Sequence, residues 1–184
     1  MFLFHSNFFN FFFLGVCPQH DILWDDLTVG EHLLFYARVK GVSPKNEKDA
    51  VKRALETVSL TRFKNRLSKG LSGGEKRRLS IAISLIGDAK VIFLDEPTVN
   101  ILKIISSKFI LRNIYFIFFF FSLLQTGLDP EVRRLIWDII NKARKGRTMI
   151  LTTHSMEEAE VLCQRIGIMA KGTVRCLGVR NFHY

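Results

Sequence analysis

Two short apolar runs constrain this chain of 184 residues more than any other feature. Residues 91–97 read VIFLDEP and residues 148–154 read TMILTTH. Each run is nearly continuous in Val, Ile, Leu, Met or Phe and ends on polar side chains, Asp95 and Glu96 in the first, His154 in the second. Such runs are expected of strands buried on both faces of a parallel sheet. Between them lies PEVRRLIWDIINKARKG, which places Val132, Leu135, Ile136, Ile139 and Ile140 on one side of a helix. Asp129 can cap that helix, with Pro130 at its first position.

Helical signals dominate the segment before the first run. TVGEHLLFYARVKG has Thr28 and Glu31 at capping-box spacing and a stop near Gly41. EKDAVKRALETVSL sets Val51, Ala54, Leu55 and Val58 at i, i+3, i+4 and i+7. LSGGEKRRLSIAISLIGD predicts a third helix, with Ser72 and Glu75 forming another capping box. After the second run, Ser155 and Glu158 open a short helix, and IGIMAKGTVRCLG predicts a hairpin turning at Lys171–Gly172. Helices first, then alternating strand and helix, give an α/β fold with a helical subdomain.

Composition is informative mainly through its unevenness. The net charge of +10 suggests an anionic partner such as nucleic acid, a membrane surface or nucleotide phosphates. Of 17 Phe, seven fall in residues 1–14 and six in 99–125, so two stretches differ in kind from the rest. Neither is a good membrane span. Residues 2–14 are short and lack the basic start and cleavage site of a signal peptide. The uncharged run at 113–124 falls well short of the ~20 residues a bilayer needs. Cys17, Cys163 and Cys176 are odd in number and form no CxxC pair, which predicts buried reduced thiols and neither a disulfide frame nor a zinc site. His5, His32 and His183 are expected to be ordinary satisfied polar residues.

Three motifs carry chemistry. In LSGGEKRR, two glycines at a helix start let a phosphate approach free backbone N–H groups, and Ser72 adds a hydroxyl. A flexible loop followed by a capped helix would read the same way. In VIFLDEP, Asp95 at the strand end can hold Mg²⁺, and Glu96 can polarise a water for attack on a phosphoryl group. Simple solvation of two adjacent acids is the alternative. In TTHSMEEAE, His154 at the end of the second run could hydrogen-bond a transferring phosphate.

In this order the motifs resemble the nucleotide-binding domain of ATP-binding cassette transporters. LSGGEKRR is similar to the signature motif, VIFLDE to the Walker B strand with its catalytic glutamate, TGLD to the D-loop and LTTH to the switch-histidine loop. CPQHDILWDDLTVGEHL looks like the Q-loop, with Gln19 as its glutamine. The resemblance covers about residues 15–98 and 126–178 and is nearest to the eukaryotic A subfamily, whose members are implicated in lipid export. It implies a P-loop NTPase-like cassette ATPase domain, here a partial core sheet plus an α-helical signature subdomain. It also implies ATP and Mg²⁺ as ligands. Gln19 would contact the magnesium and the attacking water, Asp95 would support Mg²⁺, Glu96 would be the general base, and His154 would hold the γ-phosphate. Ser72, Gly73 and Gly74 would cap an ATP bound to a second nucleotide-binding domain, with Asp129 at the contact between the two. The implied partners are that second domain and the transmembrane domains of a parent transporter, on the cytosolic face of a membrane. No nucleic acid is expected, although relatives in DNA repair and translation carry the same motifs and the run Lys76, Arg77, Arg78 superficially favours them. A solvated helix face is the plainer explanation of that run. An inactive pseudo-domain is a third possibility.

Two departures stand out. The phosphate cradle G-x-x-x-x-G-K-[ST] is absent, since no Gly in this chain is followed by Lys. The chain alone is therefore expected neither to bind ATP well nor to hydrolyse it. Secondly, joining Thr98 to Thr126 would give FLDEPTTGLDPE, an uninterrupted Walker B to D-loop text. The domain organisation that follows is a Phe-rich leader at 1–14 and a partial nucleotide-binding domain at 15–184, interrupted at 99–125. The interruption starts with Val, whose codons begin GT, and ends with Gln, which CAG encodes, as an intron read through in frame would. A membrane-dipping loop is the rival reading.

Overall fold

The computed structural model describes residues 14–98 and 129–179. The leader up to residue 13 and the 99–125 interruption lie outside the described residues. Three strands, β1 (Leu14–Cys17), β2 (Val91–Asp95) and β3 (Thr148–Thr152), form a parallel sheet in the order β1-β2-β3. Between β1 and β2 come α1 (Val29–Val39), α2 (Glu47–Thr57) and α3 (Gly73–Leu85). Helix α4 (Pro130–Ala143) precedes β3, and α5 (Met156–Leu162) follows it. The chain then forms β4 (Arg165–Ala170) and β5 (Thr173–Val179), an antiparallel pair separate from the main sheet. This is the α/β architecture expected from the sequence.

Local chemistry sets the helix starts. Thr28 Oγ1 accepts from Glu31 N at 3.2 Å while Glu31 Oε2 accepts from Thr28 N at 2.7 Å, so the predicted capping box opens α1. Ser72 and Glu75 repeat the arrangement at α3, and Asp129 accepts from Glu131 N at 3.2 Å to start α4. Packing then fixes the faces. Leu33 of α1, Leu55 of α2, Leu79 and Ile81 of α3, Ile92 of β2 and Ile136 of α4 are all at most 2 % exposed. Each such side chain contributes about 1.5–3 kcal/mol relative to its exposed state. Arg38 and Glu47 tie α1 to α2 through two 3.1 Å bonds, a pair too exposed on the arginine side to add much.

Helix α3 crosses β1 at backbone contact. A Cβ on Gly15 would lie 2.1 Å from the Ser84 carbonyl oxygen, so only glycine fits there. That crossing covers one face of the sheet, on which Cys17, Ile92 and Leu94 are buried. The other face departs from expectation. Val16, Phe93 and Ile150, set in one row by the strand register, are 53 %, 40 % and 45 % exposed. The two runs are therefore not buried on both faces, because this row is only partly covered. An uninterrupted apolar run reports what a strand can tolerate on each side, not what covers it.

The hairpin turns where predicted, with positive φ at Lys171 and Gly172 as a two-residue type I′ turn requires. Its side chains Ile168, Met169, Val174, Leu177 and Val179 are all exposed. Cys176 is exposed with them, and Cys163 is half-buried, so of the three cysteines only Cys17 has the buried setting predicted for all. The cause is the uncovered hairpin, which offers its thiol no core. His32 is a satisfied core residue as expected: Trp24 N donates to its Nε2 at 3.0 Å and its Nδ1 donates to the Thr28 carbonyl at 2.9 Å. No described helix is long and apolar enough to cross a membrane.

Candidate functional site

The parallel register brings the polar ends of β2 and β3 to the same edge of the sheet, the edge at which open α/β sheets place their ligands. Asp95 is the last residue of β2, paired with Thr152. Thr152 Oγ1 donates to Asp95 Oδ1, and Glu96 N donates to the Thr152 carbonyl at 3.0 Å. Glu96 then turns out of the strand at φ +46°, a left-handed conformation unusual for a side chain with a Cβ. The turn aims its carboxylate at His154, whose Nδ1 lies 2.9 Å from Oε1 and 2.8 Å from Oε2. Three of the predicted site residues thus meet: Asp95, Glu96 and His154. A carboxylate held this way, 18 % exposed at its side chain and steered by an imidazole, is suited to accept a proton from water.

A residue that sequence reasoning assigned to solvent holds this turn in place. Arg77 on α3 is 2 % exposed. Its Nε donates to the Pro97 carbonyl at 2.8 Å, and its Nη2 donates to the carbonyls of Asp95 at 2.8 Å and Glu96 at 3.0 Å. Its Nη1 donates to the Pro18 carbonyl at 2.5 Å, the Gln19 carbonyl at 3.4 Å and Asp21 Oδ1 at 3.2 Å. Gln19 therefore joins the carboxylate turn through its main chain. Arg78 is also engaged, donating to the carbonyls of Val58 and Ser59. Two of the three cations of the basic run are thus not simply solvated, because their guanidiniums serve main-chain carbonyls. The missed signal was phase: Arg77 lies at i, i+3, i+4 and i+7 with Ser80, Ile81 and Ser84, all buried. Burial beside Arg77 also pushes the Cys17 thiol up to about 11, the nearby guanidinium offsetting part of that rise.

The remaining predicted residues form a second group. Ser72 Oγ accepts from Glu75 N at 3.3 Å, and Glu75 Oε2 accepts from Ser72 N at 2.8 Å. The capping box uses those donors and leaves the first-turn N–H groups of Gly73 and Gly74 as helix orphans that an anion could take. A Cβ on Gly74 would stand 2.7 Å from Val132 Cγ1, so the starts of α3 and α4 touch, and Asp129 caps the second of them. Among the described residues no hydrogen bond or ion pair links Ser72, Gly73, Gly74 or Asp129 to the carboxylate turn. Along α3, Ser72 precedes Arg77 by about 7.5 Å and Gly74 precedes it by about 4.5 Å, at about 1.5 Å per residue.

The groups fit a divalent cation only in part. No three acidic, His or Cys side chains converge as a cage among the described residues. Asp95 supplies one hard oxygen, and the other ligands of a magnesium ion would be water and phosphate, the usual pattern for that metal.

Comparison with known proteins follows the same lines. The ABC transporter family profile matches residues 13–99. The chain is 48 % identical over 165 residues to ABC transporter A family member 2 of Arabidopsis thaliana, covering 90 % of this chain and 14 % of that protein. It is 43 % identical over 168 residues to ABC transporter A family member 9 of Dictyostelium discoideum, covering 91 % of this chain and 17 % of that one. The chain thus spans about a seventh of the length of the first of these relatives. Among solved structures, the ATP-binding subunit of an ABC transporter superposes with a TM-score of 0.66 at 22 % identity, over 91 % of this chain and 59 % of the other. A dimeric ATP-binding cassette in a post-hydrolysis state, with ADP and phosphate bound, also gives 0.66 at 22 % identity, over 92 % and 64 %. Those likenesses establish the ATPase fold.

Proposed function

We propose that this chain, which belongs to the nucleotide-binding domains of ABC transporters in the A subfamily, is the signature-bearing part of an ATPase that drives lipid transport. The observation that carries the reading is the contact of His154 with Glu96 at the carboxyl edge of the sheet. Glu96 is the general base toward water, and His154 orients it and reaches for the terminal phosphate. Gln19, whose main chain is tied to the same turn by Arg77, would contact the magnesium and the attacking water, and Asp95 would hold magnesium. That ion, when bound, would neutralise charge on the phosphoryl oxygens. Ser72, Gly73 and Gly74 would offer their helix start to an ATP held by a second nucleotide-binding domain, with Asp129 at the joint. Transmembrane domains of the parent transporter would anchor the assembly at the cytosolic face.

The partial-domain reading has two supports. The solved ATPase chains extend well beyond the part matched here. The apolar row Val16, Phe93, Ile150 is open, whereas parallel sheets are covered on both faces. The nucleic-acid alternative loses its main attraction, since Arg77 and Arg78 are committed to internal carbonyls.

Two measurements test the proposal. The full-length transporter carrying this cassette should hydrolyse ATP with magnesium, and Glu96→Gln should lower turnover by about 100-fold or more, to a measurable residual rate, while ATP still binds. The isolated chain, which has no G-x-x-x-x-G-K-[ST] cradle, should show no saturable binding of a fluorescent ATP analogue. Wild-type turnover in Glu96→Gln, or tight ATP binding by the isolated chain, would overturn it.

A further inference from the structure

We infer that Arg77, paired with Asp21, is a positioning residue for hydrolysis: it holds Glu96 in its strained backbone conformation and locks the Gln19 segment to that same turn. The inference rests on the reading of Glu96 as the general base. Three successive carbonyls, those of Asp95, Glu96 and Pro97, accept from Nε and Nη2 of one guanidinium. Satisfying three consecutive carbonyls from one side chain fixes the peptide planes on both sides of Glu96, and so fixes the direction of its Cα–Cβ bond. Glu96 needs such a restraint, because φ +46° is a conformation that a residue with a Cβ leaves when nothing over-determines it.

The third nitrogen faces the other way. Nη1 spans the carbonyls of Pro18 and Gln19 and the carboxylate of Asp21. The Asp21 side chain is 6 % exposed and the Arg77 side chain 3 %, so the charge is carried inside the protein and balanced there. A planar fork with five N–H donors can serve both segments at once, whereas an ammonium cannot. One guanidinium therefore makes the segment after β1 and the turn after β2 a single rigid unit. Displacement of Pro18–Gln19 is transmitted to Glu96, and a base misplaced by about 1 Å can lose on the order of 100-fold in rate.

The test is a double-mutant cycle on ATP turnover in the full-length transporter. Arg77→Lys should lower kcat by at least about 10-fold with the KM for ATP within about two-fold of wild type, since the phosphate contacts are untouched. In a Glu96→Gln background, Arg77→Lys should leave the residual rate unchanged, because there is no base left to misplace. Asp21→Asn keeps the guanidinium but loosens its anchor, so it should act in the same direction, more weakly, with the same dependence on Glu96. A role confined to folding would lower the residual rate as well and track the folded fraction. Additive losses in the two backgrounds, or folded Arg77→Lys and Asp21→Asn proteins with wild-type kcat, would overturn the inference alone. An unmodified transporter without turnover, or a Glu96→Gln variant with full turnover, would overturn the functional reading and this inference with it. If Arg77→Lys does not fold, the Asp21→Asn cycle decides.

Discussion

His154 Nδ1 lies within 2.9 Å of both carboxylate oxygens of Glu96, although 58 residues separate the two in sequence. Glu96 is 18 % exposed at its side chain and His154 60 %, so the imidazole stands on the outer side of the carboxylate. This geometry assigns different losses to the two residues. On the proposed reading of Glu96 as the general base, Glu96→Gln should cost the 100- to 10,000-fold that general-base catalysis typically contributes, about 3–5 kcal/mol in the barrier. His154→Ala leaves the base present but unsteered and should cost less in kcat than Glu96→Gln. Steady-state ATPase rates of both variants in the full-length transporter check the order, and a larger loss in His154→Ala would contradict it.

The thiols should separate by reactivity. Cys176 is exposed on β5, while Cys17 is buried and its pKa is raised to about 11 by that burial. Alkylation needs both access and thiolate, and Cys17 offers neither near neutral pH. A maleimide should label Cys176 within minutes and Cys17 only in denaturant. The raised pKa also has a sign for stability: the protonated thiol is favoured in the folded state, so its contribution is complete below pH 9 and declines as pH rises toward 11. Cys17→Ala should lose that alkaline component. Mass spectrometry of labelled peptides and urea midpoints between pH 8 and 11 make the measurements.

Much of the architecture was legible because its signals are local. Thr28 with Glu31, and Ser72 with Glu75, announce helix starts within four residues, and the structure forms both boxes. Lys171–Gly172 announces its turn in the same way. What was not legible depends on partners distant in sequence. The apolar text of β2 and β3 does not say that Phe93 and Ile150 would stand uncovered, since covering is a property of other segments. Arg77 is a harder case. Three consecutive cations look solvated when read as a run, yet helical phase sends Arg77 inward with Ser80 and Ser84, where six acceptors wait on segments centred near residues 19 and 96. Only its in-phase neighbours hinted at this.

Gly15 provides a stability test of the sheet–helix crossing. A Cβ there would meet the Ser84 carbonyl oxygen at 2.1 Å and the Ser84 carbonyl carbon at 3.0 Å, both backbone atoms that no rotamer change can move. Gly15→Ala must push α3 off β1 and should cost at least the ~1–3 kcal/mol typical of overpacking. Gly178→Ala is the control: nothing lies within 4 Å of a Cβ on that glycine, and the change should stay within about 0.5 kcal/mol. Urea denaturation of the two variants against wild type measures the difference. Equal midpoints for the two would mean that the crossing is looser than its geometry.

Residues 99–125 lie between two points that the structure fixes. On one side Pro97 is bonded to Arg77 and Thr98 is 8 % exposed. On the other, Asp129 caps α4. Joining Thr98 to Thr126 would leave only a short link between these anchors, where the chain now carries roughly thirty residues. By loop-closure entropy this is about three doublings of length, or ~2 kcal/mol. Deleting 99–125 should therefore raise the unfolding free energy measured in urea by about 2 kcal/mol. The same deletion removes IYFIFFFFSLL, an uncharged strand-forming run, and should lower aggregation on refolding. If the interruption is an intron read in frame, mature message will run from the Thr98 codon directly to the Thr126 codon. Message that retains the intervening bases, together with a deletion variant less stable than the full chain, would establish the segment as a working part of the protein.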